Sequence, residues 1–173
     1  MTIFSKGYSL KSKVGSAKTA LFPSEFDGKL VIYTDGGSRG NPGPSAFGVV
    51  IAAPAGRASL FGWGAKEYGE YLGVHTNNFA EYQGIVFALK KAKQLLGKKK
   101  AKETEVELRT DSELAVKQLN GEYRIEEPEL KLLFVDVWNL RLDFKKVAFV
   151  HVPREKNKVA DALVNRALDA AGR

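Results

Sequence analysis

The ten residues Thr34 to Gly43, TDGGSRGNPG, decide how the rest of this chain is read. They follow Leu30-Val31-Ile32-Tyr33, a short apolar run that predicts a strand buried on both faces, so Asp35 falls where that strand should stop. The glycines and Pro42 force a tight, exposed turn after it. An acid fixed at the carboxyl end of a strand lies where open α/β sheets place their ligands, and packing gives no reason for a carboxylate there. The open questions are what Asp35 binds and which other acids join it.

Composition narrows the answer. The 173 residues suit one domain with an extension, long enough to bury a core without covalent staples. Cysteine is absent and His75 and His151 are the only histidines, which excludes disulfides, thiol nucleophiles and ordinary structural zinc sites. Any metal must then be held by oxygen, which points to hard cations such as Mg²⁺ or Mn²⁺. The net charge of +7 favours a polyanionic partner. No apolar run approaches the ~20 residues of a membrane span, so a soluble protein is expected; a cytoplasmic location and a single copy are the default expectations. Residues 1 to 28 are expected to form a flexible basic extension, a tail or docking arm, and residues 29 to 173 the folded domain.

Outward from the turn, Ala46 to Ala53 and Ala58 to Lys66 predict a hairpin across Pro54-Ala55-Gly56, completing a three-stranded antiparallel meander, with Gly69 to Thr76 as a loop. Glu81, Ile85, Ala88 and Ala92 then recur at helical spacing, with Tyr82, Val86 and Leu89 beside them. Glu81 therefore opens the inward face of a helix that ends at Gly97, although Asn78 and Glu81 also fit a capping box. Lys98 to Lys100 and Lys102 predict a solvated turn. Glu105 to Thr110 alternates charged and apolar residues, as an exposed or edge-facing strand does, and Asp111-Ser112 opens a helix to about Leu119, either residue serving as its cap. Pro128 starts a helix to about Leu142, Val147 to Val152 is a fifth strand, and Ala160, Leu163, Val164, Ala167 and Leu168 stripe a last helix with Asp161 in its first turn. The order predicts an α/β fold: a five-stranded mixed sheet with helices on both faces.

Asp35, Glu81, Asp111 and Asp161 each have a bland explanation as a cap or a solvated acid. All four nevertheless occupy strand ends or first helical turns that can meet. Gathered together they would repel strongly, so the cluster makes sense only around cations, such as two divalent ions about 3.5 to 4 Å apart placed for in-line displacement at phosphorus.

The stretches YTDGGSRGNPGPSAFG (33 to 48), TNNFAEYQG (76 to 84), RTDSELAV (109 to 116) and HVPREKNKVADALVNRA (151 to 167) resemble, in order and spacing, the motifs of type 1 ribonuclease H. That resemblance runs from about Lys29 to about Gly172 and implies the ribonuclease H-like fold. It also implies that Asp35, Glu81, Asp111 and Asp161 bind two Mg²⁺ ions, with Mn²⁺ as substitute. The implied reaction is endonucleolytic hydrolysis of the RNA strand of an RNA/DNA hybrid, leaving 5′-phosphate and 3′-hydroxyl ends. By the same likeness Asn41, Asn77 and Asn78, with the turn that includes Gly36 and Ser38, contact the minor groove, where 2′-hydroxyls mark RNA. Thr76 matches a position that helps hold a DNA phosphate.

Two departures from the family stand out. The histidine loop of well-studied bacterial members is here the short turn PREKN, in which Arg154 is the nearest match; an arginine cannot act as a base at neutral pH but can hold a phosphate or the product, and His151 belongs to the strand. The basic helix that grips the hybrid in some members is replaced by an acidic segment with Glu122, Glu126, Glu127 and Glu129. The alternatives are a binding module that kept the fold without turnover, or a relative that also cleaves double-stranded RNA. A nucleotide-cradling enzyme is disfavoured, because GGSRGNPG matches neither GxxxxGK[ST] nor GxGxxG.

Overall fold

The computed structural model describes residues 29 to 54, 56 and 58 to 173. The extension expected over residues 1 to 28 lies outside the described residues. The elements in chain order are β1 (Leu30–Ser38), β2 (Gly43–Ala52), α1 (Ala58–Phe61), β3 (Ala65–His75), α2 (Asn77–Leu96), α3 (Lys98–Glu103), β4 (Glu105–Thr110), α4 (Glu113–Leu119), α5 (Pro128–Arg141), β5 (Lys146–His151) and α6 (Lys158–Ala170), with a 3₁₀ turn over Arg154–Lys156. The strands form one mixed sheet in the order β3-β2-β1-β4-β5. β1, β2 and β3 are antiparallel neighbours, whereas β4 and β5 run parallel to β1.

The two faces are covered unequally. On one, Leu30, Ile32, Val49 and Leu108 of the sheet pack with Ile85 and Leu89 of α2 and Leu130 of α5 in the main core. On the other, α6 seals a smaller cluster through Val164 and Leu168 against Ala46. Successive residues of a strand point to opposite faces, and Gly36 and Gly37 display this directly. A Cβ on Gly36 would lie 2.2 Å from the Glu81 backbone nitrogen in α2, while one on Gly37 would meet Val164 of α6. Glycine at 36 is thus what lets α2 close on β1.

Four expectations need correction. β1 does not stop at Asp35: it continues to Ser38, paired with β2, while its parallel ladder with β4 ends at Thr34 opposite Thr110. Asp35 lies one residue beyond the parallel part, so it retains a strand-end position on that side only. The third strand is Ala65–His75, and the expected strand from Ala58 to Lys66 is largely the short helix α1 and a turn. β3 is an edge strand whose side chains are mostly exposed or half-buried, so it has no buried face to write an alternating pattern. Glu105–Thr110 is not at an edge but between β1 and β5. Its alternation arises because Val106, Leu108 and Thr110 enter the core while Glu105, Glu107 and Arg109 face the side that α6 leaves partly open. Lys98 to Lys102 belong to the short helix α3, which starts afresh after Gly97, whose φ of 77° breaks α2.

Candidate active site

The capping residues decide which acids are free. At the head of α2 the cap is Thr76, whose Oγ1 accepts from the Phe79 N–H at 3.2 Å. The capping box expected from Asn78 and Glu81 is therefore absent, and Glu81 is one turn further in and buried. At α4 the cap is Ser112, which accepts from the Ala115 N–H at 3.3 Å, leaving the Asp111 carboxylate unengaged by its own helix. Burial and capping thus remove the ordinary structural readings of both acids.

Oxygens of Asp35, Glu81 and Asp111 come within 4.8 Å of one another. Three charges so close would repel by roughly 3 kcal/mol per pair at an effective dielectric of 20, a large fraction of a domain's net stability. The protons respond accordingly. Burial first, then the charges of Asp111 and Asp161, push Asp35 up to about 7. Burial likewise raises Glu81 well above the usual carboxylate range, with Asp35 and Asp111 adding to it. The Gly36 N–H and, at 3.4 Å, the Thr110 hydroxyl donate to Glu81 and offset part of this. An all-oxygen set of this kind suits a hard divalent cation, and no histidine belongs to it.

Asp161 lines the same cleft, of about 380 Å³, but stands outside the tight trio. Its Oδ1 accepts from Arg154 at 2.9 Å, and it is half-buried in the first turn of α6. The ion pair and the nearby charges of Asp35 and Asp111 hold the Arg154 guanidinium above its ordinary range. Glycine again permits the approach: a Cβ on Gly48, which pairs with Asp35, would lie 2.1 Å from the Ala160 carbonyl. His151 ends β5, as expected.

The other expected residues ring the cleft. Gly36 and Ser38 are on its wall with Asn77. Asn41 Oδ1 accepts from the Asn77 N–H at 3.1 Å, locking the turn after β1 to the head of α2. Asn78 turns the other way and donates to Glu127 at 3.3 Å.

Two residues of this neighbourhood escaped the sequence reading. Asn157, 1% exposed, heads α6 yet makes no side-chain cap; its Nδ2 donates to Asp111 Oδ1 at 2.8 Å and to the Thr34 carbonyl at 2.9 Å. An asparagine before a helix reads as a cap, so only the fold distinguishes this role. Arg39 lines the cleft and pairs with Asp169 at 2.6 Å and with the Arg173 carbonyl, tying the glycine turn to α6.

Comparison with known proteins bears on the fold and the family. The family model described as reverse transcriptase-like matches residues 33 to 167. A bifunctional protein of Mycobacterium tuberculosis is 38% identical over 143 residues, covering 83% of this chain and 36% of that protein. The chain therefore spans little more than a third of that relative. The ribonuclease HI of Halobacterium salinarum is 38% identical over 153 residues, covering 88% of this chain and 71% of the relative. Among solved structures, LC11-RNase H1 in complex with an RNA/DNA hybrid is 43% identical, with a TM-score of 0.75 and coverage of 84% of this chain and 100% of that one. With the motif order, the sheet order and these likenesses in agreement, the chain belongs to the type 1 ribonuclease H family.

Proposed function

We propose that this chain is an endonuclease that hydrolyses the RNA strand of RNA/DNA hybrids by two-metal-ion catalysis, leaving 5′-phosphate and 3′-hydroxyl ends, with residues 29 to 173 as its catalytic domain. The observation that carries this reading is the convergence of Asp35 of β1, Glu81 of α2 and Asp111 of the bend between β4 and α4 to within 4.8 Å. The hybrid held by the LC11 relative supports the choice of substrate.

Asp35, Glu81 and Asp111 would hold Mg²⁺ or Mn²⁺, with Asp161 completing the set from across the cleft. Bound there, such cations would make an attacking water acidic and neutralise charge growing on the departing 3′ oxygen. The protein residues supply position. Asn157 fixes one oxygen of Asp111, which lines the cleft. The Gly36 N–H steadies both Asp35 and Glu81. Asn41 and Asn77, joined by their hydrogen bond, offer polar groups with Gly36, Ser38 and Asn78 to a minor groove lined with 2′-hydroxyls. Thr76 holds a phosphate of the DNA strand. Arg154, too basic to accept a proton, binds the scissile phosphate or the 5′-phosphate product.

The test is cleavage of an end-labelled hybrid with Mg²⁺ and with EDTA, run beside duplex RNA, duplex DNA and single-stranded RNA. Cutting confined to the RNA of the hybrid, lost in EDTA and in Asp111→Asn while binding persists, is the expected result. Undiminished cutting by Asp111→Asn contradicts the assignment, and cleavage of duplex RNA at a similar rate contradicts the substrate.

A further inference from the structure

α5 is apolar on two opposite faces. Leu130, Leu133 and Val137 are buried in the main core. Facing outward are Leu132 at 72% exposure, Val135 at 53% and Trp138 at 48%, followed just past the helix by Leu142 at 57%. These are four of the eight large hydrophobic side chains exposed among the described residues, three of them on this 14-residue helix and the fourth at its C-terminal cap. A helix at a protein surface ordinarily turns polar side chains outward, and a concentrated apolar face marks a docking surface. This one is also rigid: Trp138 is stacked on Phe134 at 6.2 Å and covered by Arg141 at 4.3 Å.

The spacing and the flanking charges together suit a second copy of the same helix as the occupant. Leu132, Val135, Asn139 and Leu142 follow one another at intervals of three, four and three, the seam of a two-stranded coiled coil, with Leu132 and Asn139 at one set of seam positions and Val135 and Leu142 at the other. In that register Leu130 and Val137 fall diametrically opposite, so the seam points directly away from the domain's own core. A lone asparagine in a seam is a device for fixing register and a pair of strands. The flanking positions carry Lys131 on one side and Glu129 and Asp136 on the other, all exposed. Neither Lys131 nor Asp136 makes an ion pair among the described residues. In a parallel pair each flank meets the opposite flank of its neighbour, five residues along, which sets Lys131 against Asp136 twice by symmetry. An antiparallel pair would instead set acid against acid on one flank and leave Lys131 facing no acid on the other.

We propose that the outer face of α5 pairs two copies of this chain in parallel about a two-fold axis, Asn139 facing its own counterpart and Lys131 bridging to the partner's Asp136. The seam is short, so the dimer is weak and forms at micromolar concentrations or above. This departs from the single copy expected from the sequence and does not depend on the proposed activity.

The experiment is sedimentation equilibrium of the full chain from about 1 to about 200 µM, the range of weak interfaces. The mass should climb toward twice the monomer's. Val135→Glu should hold it at the monomer, and Lys131→Glu should raise the dissociation constant at least about tenfold. Adding Asp136→Lys to Lys131→Glu should restore pairing, which a merely disruptive substitution cannot do. Because the chain has no cysteine, Leu132→Cys or Asn139→Cys alone should each yield a covalent dimer on mild oxidation, whereas antiparallel packing would set position 132 against position 142 and position 139 against position 135, so that neither single variant would cross-link. Circular dichroism checks that each variant is folded. A monomer at every concentration overturns the proposal, as does a dimer unaffected by Val135→Glu, or a charge exchange that restores nothing. A monomer in which deleting residues 1 to 28 exposes Trp138 to a fluorescence quencher also overturns it, by assigning the face to the chain's own extension.

Discussion

Asp35 carries opposite demands. Its carboxylate is buried, faces two other acids and holds its proton to about pH 7, while the unfolded chain releases it near the ordinary value of 3.8. Between those values the folded state binds more protons than the unfolded one, so without cations stability falls as pH rises through that window and levels off above it. Glu81 is shifted in the same direction. Calorimetry in EDTA should therefore show the melting temperature declining from about pH 4 to about pH 7, and Asp35→Asn should flatten the decline and melt higher at neutral pH. Identical slopes in the two proteins would contradict the electrostatic account. Asn157 makes a second prediction at this scale. Removing the amide that orients Asp111 should weaken Mn²⁺ binding about 10- to 100-fold, the usual effect of losing a partner that positions a metal ligand. Titration calorimetry of Asn157→Ala reads this directly, and a Mn²⁺ affinity equal to the parent's would show that Asp111 needs no such support.

At the scale of elements, the site exists because β1, α2, α4 and α6 approach one another closely. Gly36 is the contact point between β1 and α2, and a methyl group there has no room against backbone atoms. Gly36→Ala should destabilise the fold by about 1 to 3 kcal/mol or more, the cost of overpacking, and should separate Glu81 from Asp35. Urea unfolding and Mn²⁺ titration together test this: wild-type values in both would mean that β1 and α2 have slack.

What the sequence made legible divides along similar lines. β1, β2, α2, α5 and α6 carry long apolar patterns, and those patterns are cast by the faces they bury. β3 buries too little to leave such a trace, so its position emerged only from its pairing with β2. The cap of α2 was expected at Asn78 and lies at Thr76, because which of several neighbouring candidates caps a helix depends on where the backbone turns, and Asn157, which orients Asp111 instead of capping α6, was not singled out at all. Asp35 and Glu81 stood out because a carboxylate on an inward helical face or at a buried strand has no packing use, whereas Asp111 and Asp161 read singly as a cap and a solvated acid and joined the set only through the ordered motifs. That Asp161 sits apart from the other three, tied to Arg154, is a matter of side-chain geometry on which spacing is silent.

For the whole molecule, the sheet order β3-β2-β1-β4-β5 brings chain segments as distant as Asp35 and Asp161 to one cleft, at the end where the parallel strands deliver their carboxyl termini. On the proposed function, the acidic cup and the +7 net charge are complementary features: the first would repel a nucleic acid until cations filled it, and the second would attract the phosphate backbone. Hybrid binding by the Asp111→Asn protein should accordingly weaken steeply as salt is raised, measured by fluorescence anisotropy; a salt-independent affinity would point to recognition by something other than phosphate contacts. The central claim is that Asp35, Glu81 and Asp111 form a single seat for divalent cations. Anomalous diffraction from crystals grown with Mn²⁺ tests it most directly: the account predicts a strong peak bounded by oxygens of those three residues, and an absence of density there at saturating Mn²⁺, or a peak at another set of residues, would contradict it.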